Sequence, residues 1–356
     1  MALPRLVPVS PALPPGLRRV AVLRALMLGD LLCATPALRA LRAGLPQARI
    51  TLVGLPWARE LGTRLASVDE FVELPGWPGL PERPPSTRAE QLAFVAAMRA
   101  RRWHLALQLH GSGAVVNPLL AAFGARFNAG FAAPGAPRPG ADRRRFVPWP
   151  ERGTEVERLL ALTDALGLPR QGEHLDFPLQ ASDRAHAAAL LGDGRWAIVH
   201  AGAQLPSRRW APERFAAVAD ALAERGLRIA LTGTDGERAL VAAVASAMHA
   251  PALDLAGRSV LWTLGALVER AALVVCNDTG LSHVAAALGT ASVVVASGSD
   301  VARWATADAA RHRVLWHDVD CRPCAHAFCP TAHECAAGVP VAAVIDAALA
   351  ALETAR

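Results

Sequence analysis

Short apolar blocks alternate along the whole chain with Ala-, Leu- and Arg-rich stretches of helical length. In the first half, 20–26, 50–55, 71–74, 105–109 and 126–131 read as strands, with helices at 31–43 and 88–101. In the second half the strands fall at 196–200, 228–232, 253–255, 273–276, 293–296 and 314–316, with helices at 212–225 and 237–248. These strands are apolar throughout rather than on alternate positions. A strand of that kind is covered on both faces, so the pattern predicts parallel sheets with helices on either side. The fold class is α/β, as two Rossmann-like domains with a cleft between them. A Pro-rich extension occupies 1–19 and the first domain 20–170. Pro and Gly over 132–150 mark a long loop, and weak periodicity over 167–193 marks the passage between halves, set at 171–193. The second domain spans 194–338, and 339–356 is a final helix expected to pack back toward the first domain.

Composition narrows this only slightly. With 356 residues, 53% hydrophobic and 19% charged, the chain is globular and long enough for two cores. No apolar run reaches 18 residues, so no transmembrane helix is expected. No signal-peptide core follows Arg5, and a cytoplasmic location is the expectation. The net charge is +6, and all 37 basic residues are Arg. The charge is diffuse and lacks a basic stripe with interleaved aromatics. It therefore favours phosphorylated ligands or an anionic membrane surface over nucleic acid.

Chemistry concentrates where strands end and helices begin. Asn277-Asp278-Thr279-Gly280 follows one strand and leads into a helix carrying His283. Gly280 admits a ligand close to the backbone, and free N–H groups at a helix start favour an anion such as diphosphate. Asp278 and Thr279 could meet sugar hydroxyls; alternatively either one caps the helix. A second junction, after the strand at 196–200, carries Gly202, Gln204, Arg208 and Arg209. Arg can grip phosphate oxygens in pairs, so this loop is a candidate diphosphate clamp, or else a solvated charge pair. At a third, Gly233 would allow close nucleotide approach and Glu237 could accept from a ribose, or simply favour a helix start. Asp30 stands at the end of the first strand, at the mouth of the first sheet. It could be a general base or an N-cap. No G-x-G-x-x-G fingerprint accompanies it.

Taken in order, four pieces resemble the bacterial heptosyltransferases. These are Gly29-Asp30 with Thr35-Pro36-Ala37-Leu38; His200-Ala201-Gly202-Ala203 with Arg208-Arg209-Trp210; Asp254-Leu255-Ala256-Gly257; and Asn277-Asp278-Thr279-Gly280 with His283. The resemblance runs from about Val20 to Leu352. It implies the two-domain GT-B architecture, with a nucleotide-sugar donor, ADP-heptose first of all, held by the second half. It further implies inverting transfer without a catalytic metal to a lipopolysaccharide-core or related lipid-linked glycan. Asp30 matches the family's proposed base, and Asp278, Thr279, Gly280 and His283 match its donor contacts. The family carries Lys two positions before the Trp. Arg208 stands there, a departure that keeps the charge in a chain without Lys. A relative using another nucleotide sugar or acceptor, or a non-catalytic nucleotide-sugar binder, would share much of this pattern.

The acceptor side is read from loops, which carry specificity. His110, Ser112 and the run Arg143, Arg144, Arg145 are candidate acceptor contacts, the Arg run being equally readable as a solvated loop. Cys321, Cys324, Cys329 and Cys335, interleaved with His326 and His333, could hold structural Zn or an iron–sulfur cluster, or form a thiol loop or local disulfide. Cys33 and Cys276 read as core. No cofactor is expected to be required for catalysis. Peripheral association with the inner membrane face fits the expected acceptor.

Overall fold

The computed structural model describes residues 13–141 and 143–354. The chain forms two compact units, Met1–Asp176 and Phe177–Arg356. In the first, the strands are β1 (Arg19–Leu23), β2 (Arg49–Gly54), β3 (Glu70–Glu73), β4 (Leu105–Gln108), β5 (Phe127–Phe131) and β6 (Phe146–Val147). They lie in the order β3-β2-β1-β4-β5-β6, every pair parallel. The second holds β7 (Trp196–His200), β8 (Arg228–Leu231), β9 (Ala252–Asp254), β10 (Leu273–Asn277), β11 (Ser292–Val295) and β12 (His312–Leu315). Their order is β12-β11-β10-β7-β8-β9, again parallel throughout. Val20, Val22 and Leu23 in β1, and Ala197 and Ile198 in β7, are fully buried. Burial on both faces is what their unbroken apolar runs required.

The helix Leu28–Gly44 continues through Pro36. Proline cannot donate to the carbonyl four residues back. The Thr35 hydroxyl takes that place, donating to the Leu32 carbonyl at 2.8 Å. The same oxygen accepts from the Asp176 backbone N–H at 2.9 Å, which ties the end of this unit to its first helix.

Two expectations are corrected. The passage between units falls at 176–177 rather than over 171–193. Residues from 177 onward belong to the second unit, and Ala181–Leu191 is a helix packed on the helix Leu261–Arg270. Its buried positions are only Asp183, Ala187 and Leu191, too few to give a strong sequence period. The final helix, Val341–Thr354, packs within the second unit. Val344, Ala348, Ala351 and Leu352 enter the core that also holds Val199, Val275 and Val293. The 132–150 stretch is not all loop, since β6 pairs there with Gly130 and Phe131. Of the Pro-rich extension, 1–12 lies outside the described residues. Among the described residues no helix is long and apolar enough to cross a membrane.

Candidate active site

In each sheet the strand order reverses beside the first strand of the unit, between β1 and β4 and between β7 and β10. Successive crossovers leave in opposite directions there, so a crevice opens at the carboxyl ends. Polar side chains gather close behind these strands: Arg24 after β1, His110 after β4 and Asp278 after β10.

In the first unit Arg24 follows β1, and its side chain is fully buried. It donates through Nε and Nη2 to the Asp30 carbonyl at 3.1 and 2.7 Å, and through Nη1 to the Leu109 carbonyl. Nη2 also meets Glu155 Oε1 at 3.0 Å and lies 3.6 Å from Asp30 Oδ1. Asp30 is in the first turn of Leu28–Gly44 rather than at the strand end, and its side chain is 20% exposed. The N-cap position is Met27, so Asp30 is not the capping residue. His110, following β4, accepts from the Ala25 N–H at Nδ1, 3.2 Å away, which leaves Nε2 to carry the proton. Burial, helped by the Arg24 charge, lowers its pKa to about 3. Glu82 comes from the loop after β3. Burial pushes its carboxyl up, and the Asp30 charge adds to this.

Sequence reasoning missed Arg24, Glu155 and Glu82. A charged residue closing an apolar strand was a readable signal for Arg24. Glu155 and Glu82 had none, because they arrive from distant elements. Among the other candidates here, Ser112 is exposed on the loop after β4, and Arg143 and Arg144 are exposed on a turn. Arg145 is not part of a solvated loop. It is buried with its guanidinium 4.9 Å from the Phe127 ring, at the start of β5.

In the second unit Asn277, the fully buried last residue of β10, holds the loop after β7. Its Nδ2 donates to the Ala201 carbonyl at 2.7 Å, and its Oδ1 accepts from the Trp210 N–H at 2.9 Å. Arg208 is half-buried and donates to the Cys324 carbonyl at 2.5 Å and the Ser297 carbonyl at 3.4 Å. Burial lowers its pKa from the usual guanidinium value, and the Asp278 carboxylate works against that. Arg209 turns back on its own loop, donating twice to the Ala203 carbonyl at 3.0 and 2.9 Å. Of the two clamp candidates, only Arg208 is thus placed beside Asp278.

Thr279 does cap the helix Gly280–Leu288, accepting from the Leu281 N–H at 3.3 Å. Asp278 does not; its side chain lines a small enclosure with Ser282, Trp304 and His312. His283 is buried, its ring centre 6.0 Å from that of Trp304. Glu237 Oε2 accepts from the Thr234 N–H and hydroxyl at 2.8 Å each, which engages the carboxylate at the helix start. Its other oxygen lies against Gly202, where a Cβ would come within 2.2 Å. Gly233 is similarly close to Val241, and Gln204 is exposed.

The cysteine segment braces this loop. Ser207 donates to the His326 carbonyl, and the His333 ring meets the Ser207 carbonyl at 2.9 Å. The Cys324 and Cys335 sulfurs flank Gly298, 4.0 and 3.9 Å from where a Cβ would stand, while Cys321 is exposed. Among the described residues no group of three or more His, Cys, Asp or Glu is placed to hold a metal ion. The segment's polar groups are engaged with the Arg208 loop instead.

Two parallel-sheet units, each with a polar crevice at its switch point, have the GT-B architecture. Comparison with known proteins narrows this further. The family model for glycosyltransferase family 9 (heptosyltransferase) matches residues 92–334, and the chain belongs to that family. It is 27% identical over 290 residues to lipopolysaccharide heptosyltransferase 2 of Escherichia coli K12, covering 76% of this chain and 80% of that one. The fold is similar to that of E. coli ADP-heptose lps heptosyltransferase II, with a TM-score of 0.70, 21% identity, and 95% and 99% of the two chains covered. It is also similar to an E. coli heptosyltransferase with ADP-2-deoxy-2-fluoro heptose, at 0.61 and 20% identity over 83% and 92% of the chains.

The state of His110 has a consequence for stability. An unfolded His binds a proton near pH 6.5, whereas His110 in the fold stays neutral down to about 3. Within that window the unfolded chain binds more protons, so stability falls as pH drops from 6.5. His110→Asn keeps an acceptor for the Ala25 N–H but cannot titrate. Its melting temperature is expected to fall less steeply than that of the native chain between pH 6.5 and about 4; equal slopes would exclude a buried neutral His110.

Proposed function

We propose that this glycosyltransferase moves heptose from ADP-heptose to a lipopolysaccharide-core or related lipid-linked glycan, with inversion and without a catalytic metal. The observation that carries the donor half is Arg208, held half-buried beside Asp278 at the β7/β10 switch point. The Thr279-capped helix start follows Asp278 directly along the chain. A solved relative at this fold carries an ADP-sugar analogue, which supports an ADP donor.

In the reaction the acceptor oxygen attacks the anomeric carbon. Its proton passes to the Asp30 carboxylate, and the bond from the anomeric carbon to the diphosphate breaks with its electron pair leaving on ADP. One displacement inverts the anomeric centre. Negative charge grows on the diphosphate as it leaves. A fixed guanidinium and helix N–H groups in a site poor in water stabilise that charge without reorganising. Asp30 suits the base role because its helix start and Arg24 hold it in place while part of the side chain stays open. Gly202, Gly233, Gly280 and His283 complete the donor lining. The exposed Ser112, Arg143 and Arg144 remain candidates for the acceptor, and the basic surface suits an anionic membrane face.

Calorimetry with ADP, UDP, GDP and dTDP tests the donor. ADP is expected to bind best, and Arg208→Ala to weaken it by about 1.5–3 kcal/mol, the range for hydrogen bonds to charged groups. Unchanged affinity would move the phosphate contact elsewhere.

Asp30→Ala is expected to lower the transfer rate about 10²–10⁴-fold, with ADP affinity within a few fold of native. Near-native turnover would remove Asp30 from the base role.

Transfer is expected to survive exhaustive chelation, because Arg208 and the helix start already supply positive charge to the diphosphate. Activity lost with EDTA and restored by Mg²⁺ or Mn²⁺, at an unchanged melting temperature, would mean a metal-assisted mechanism instead.

A further inference from the structure

The Arg24–Glu155 pair lies outside every motif that identified the family, yet it bears directly on Asp30. Arg24 presents one positive charge to two carboxylates at unequal distances, Glu155 at 3.0 Å and Asp30 at 3.6 Å. Glu155 is wholly buried and opens the helix Glu155–Ala165, where the helix dipole favours a negative charge. Arg24 also grips the Asp30 backbone carbonyl by two donors and reaches the Leu109 carbonyl, so it spans both strands of the switch point.

We propose that Glu155 is a positioning residue that sets the charge seen by Asp30. It takes the closer share of the Arg24 guanidinium, so that Asp30 is held in place by Arg24 without being neutralised by it. This rests on the reading of Asp30 as the base. A carboxylate tightly paired with Arg is a poor proton acceptor, because the pairing favours its charged form. A buried cation needs a partner in any case. Supplying it from a separate helix lets one guanidinium orient the base and leave it basic.

The other charged and titratable groups around the cluster fit this arrangement. Glu82, from the loop after β3, adds negative charge near Asp30. His110, from the end of β4, is neutral at pH 7 and adds none. Arg158, one turn beyond Glu155, also donates to the Gly153 and Glu151 carbonyls.

The test titrates Asp30 itself, by carboxyl carbon NMR on protein labelled with ¹³C-Asp, the resonance being identified by its loss in Asp30→Asn. In Glu155→Gln the Arg24 charge falls on Asp30 alone, and its midpoint is expected to move down by about one pH unit. The acid limb of the single-turnover transfer rate should move with it. In the double variant Arg24→Gln with Glu155→Gln both charges are gone, and the midpoint is expected to rise again, past the native value. Should Glu155→Gln fail to fold, Glu155→Asp draws the charge back by one methylene and is expected to give a smaller downward shift. Midpoints unchanged in variants that keep the native circular dichroism would make the pair merely structural and overturn the proposal. Native transfer by Asp30→Asn would instead sink the base role, a separate result that leaves the NMR outcome standing.

Discussion

Reversal of strand order beside the first strand of each unit is the constraint on which the rest of the molecule depends. Parallel strands need crossover helices, and those helices cover both faces of the sheet. Where the crossovers part, the carboxyl ends of two neighbouring strands are left open. Arg24 and His110 follow the first such pair, and the Ala201 loop and Asp278 follow the second.

Each crevice then has the same difficulty: polar groups close to a buried core must be satisfied. The two units meet it differently. In the first, one guanidinium absorbs three carbonyl bonds and two carboxylates, a charged solution whose balance can be shifted by a single proton. In the second, the neutral amide of Asn277 ties the loop to β10 with one donor and one acceptor. The charge there is kept for Arg208 and Asp278. A neutral strut adds no net charge, which suits a place expected to receive a diphosphate.

The cysteine segment belongs to this second arrangement through its backbone rather than its thiols. The carbonyls of Cys324 and His326 accept from Arg208 and Ser207. Shortening that segment would move the Arg208 guanidinium, because the Cys324 carbonyl holds it. Burial raises the Cys335 thiol while the Thr331 hydroxyl lowers that of Cys329, so the thiols of one short segment are not equivalent.

Strand and helix positions, the α/β class and the Asp278, Arg208 and Asp30 junctions could all be read along the chain. They depend on local facts: apolar runs of strand length, Gly and Pro at the turns, and polar residues where a strand gives way to a helix. The short helix Ala181–Leu191 and the packing of Val341–Thr354 could not, because a buried face of a few Ala and Leu positions does not say which sheet will cover it. Nor could the difference between Arg208 and Arg209, adjacent in sequence, of which one lies beside Asp278 and the other closes its own loop. Glu155 stands 131 positions from Arg24. Sequence determined which residues could carry charge at the ends of strands; only the tertiary structure decided which charges meet, since pairing in a buried site is set by distances between elements that are remote along the chain.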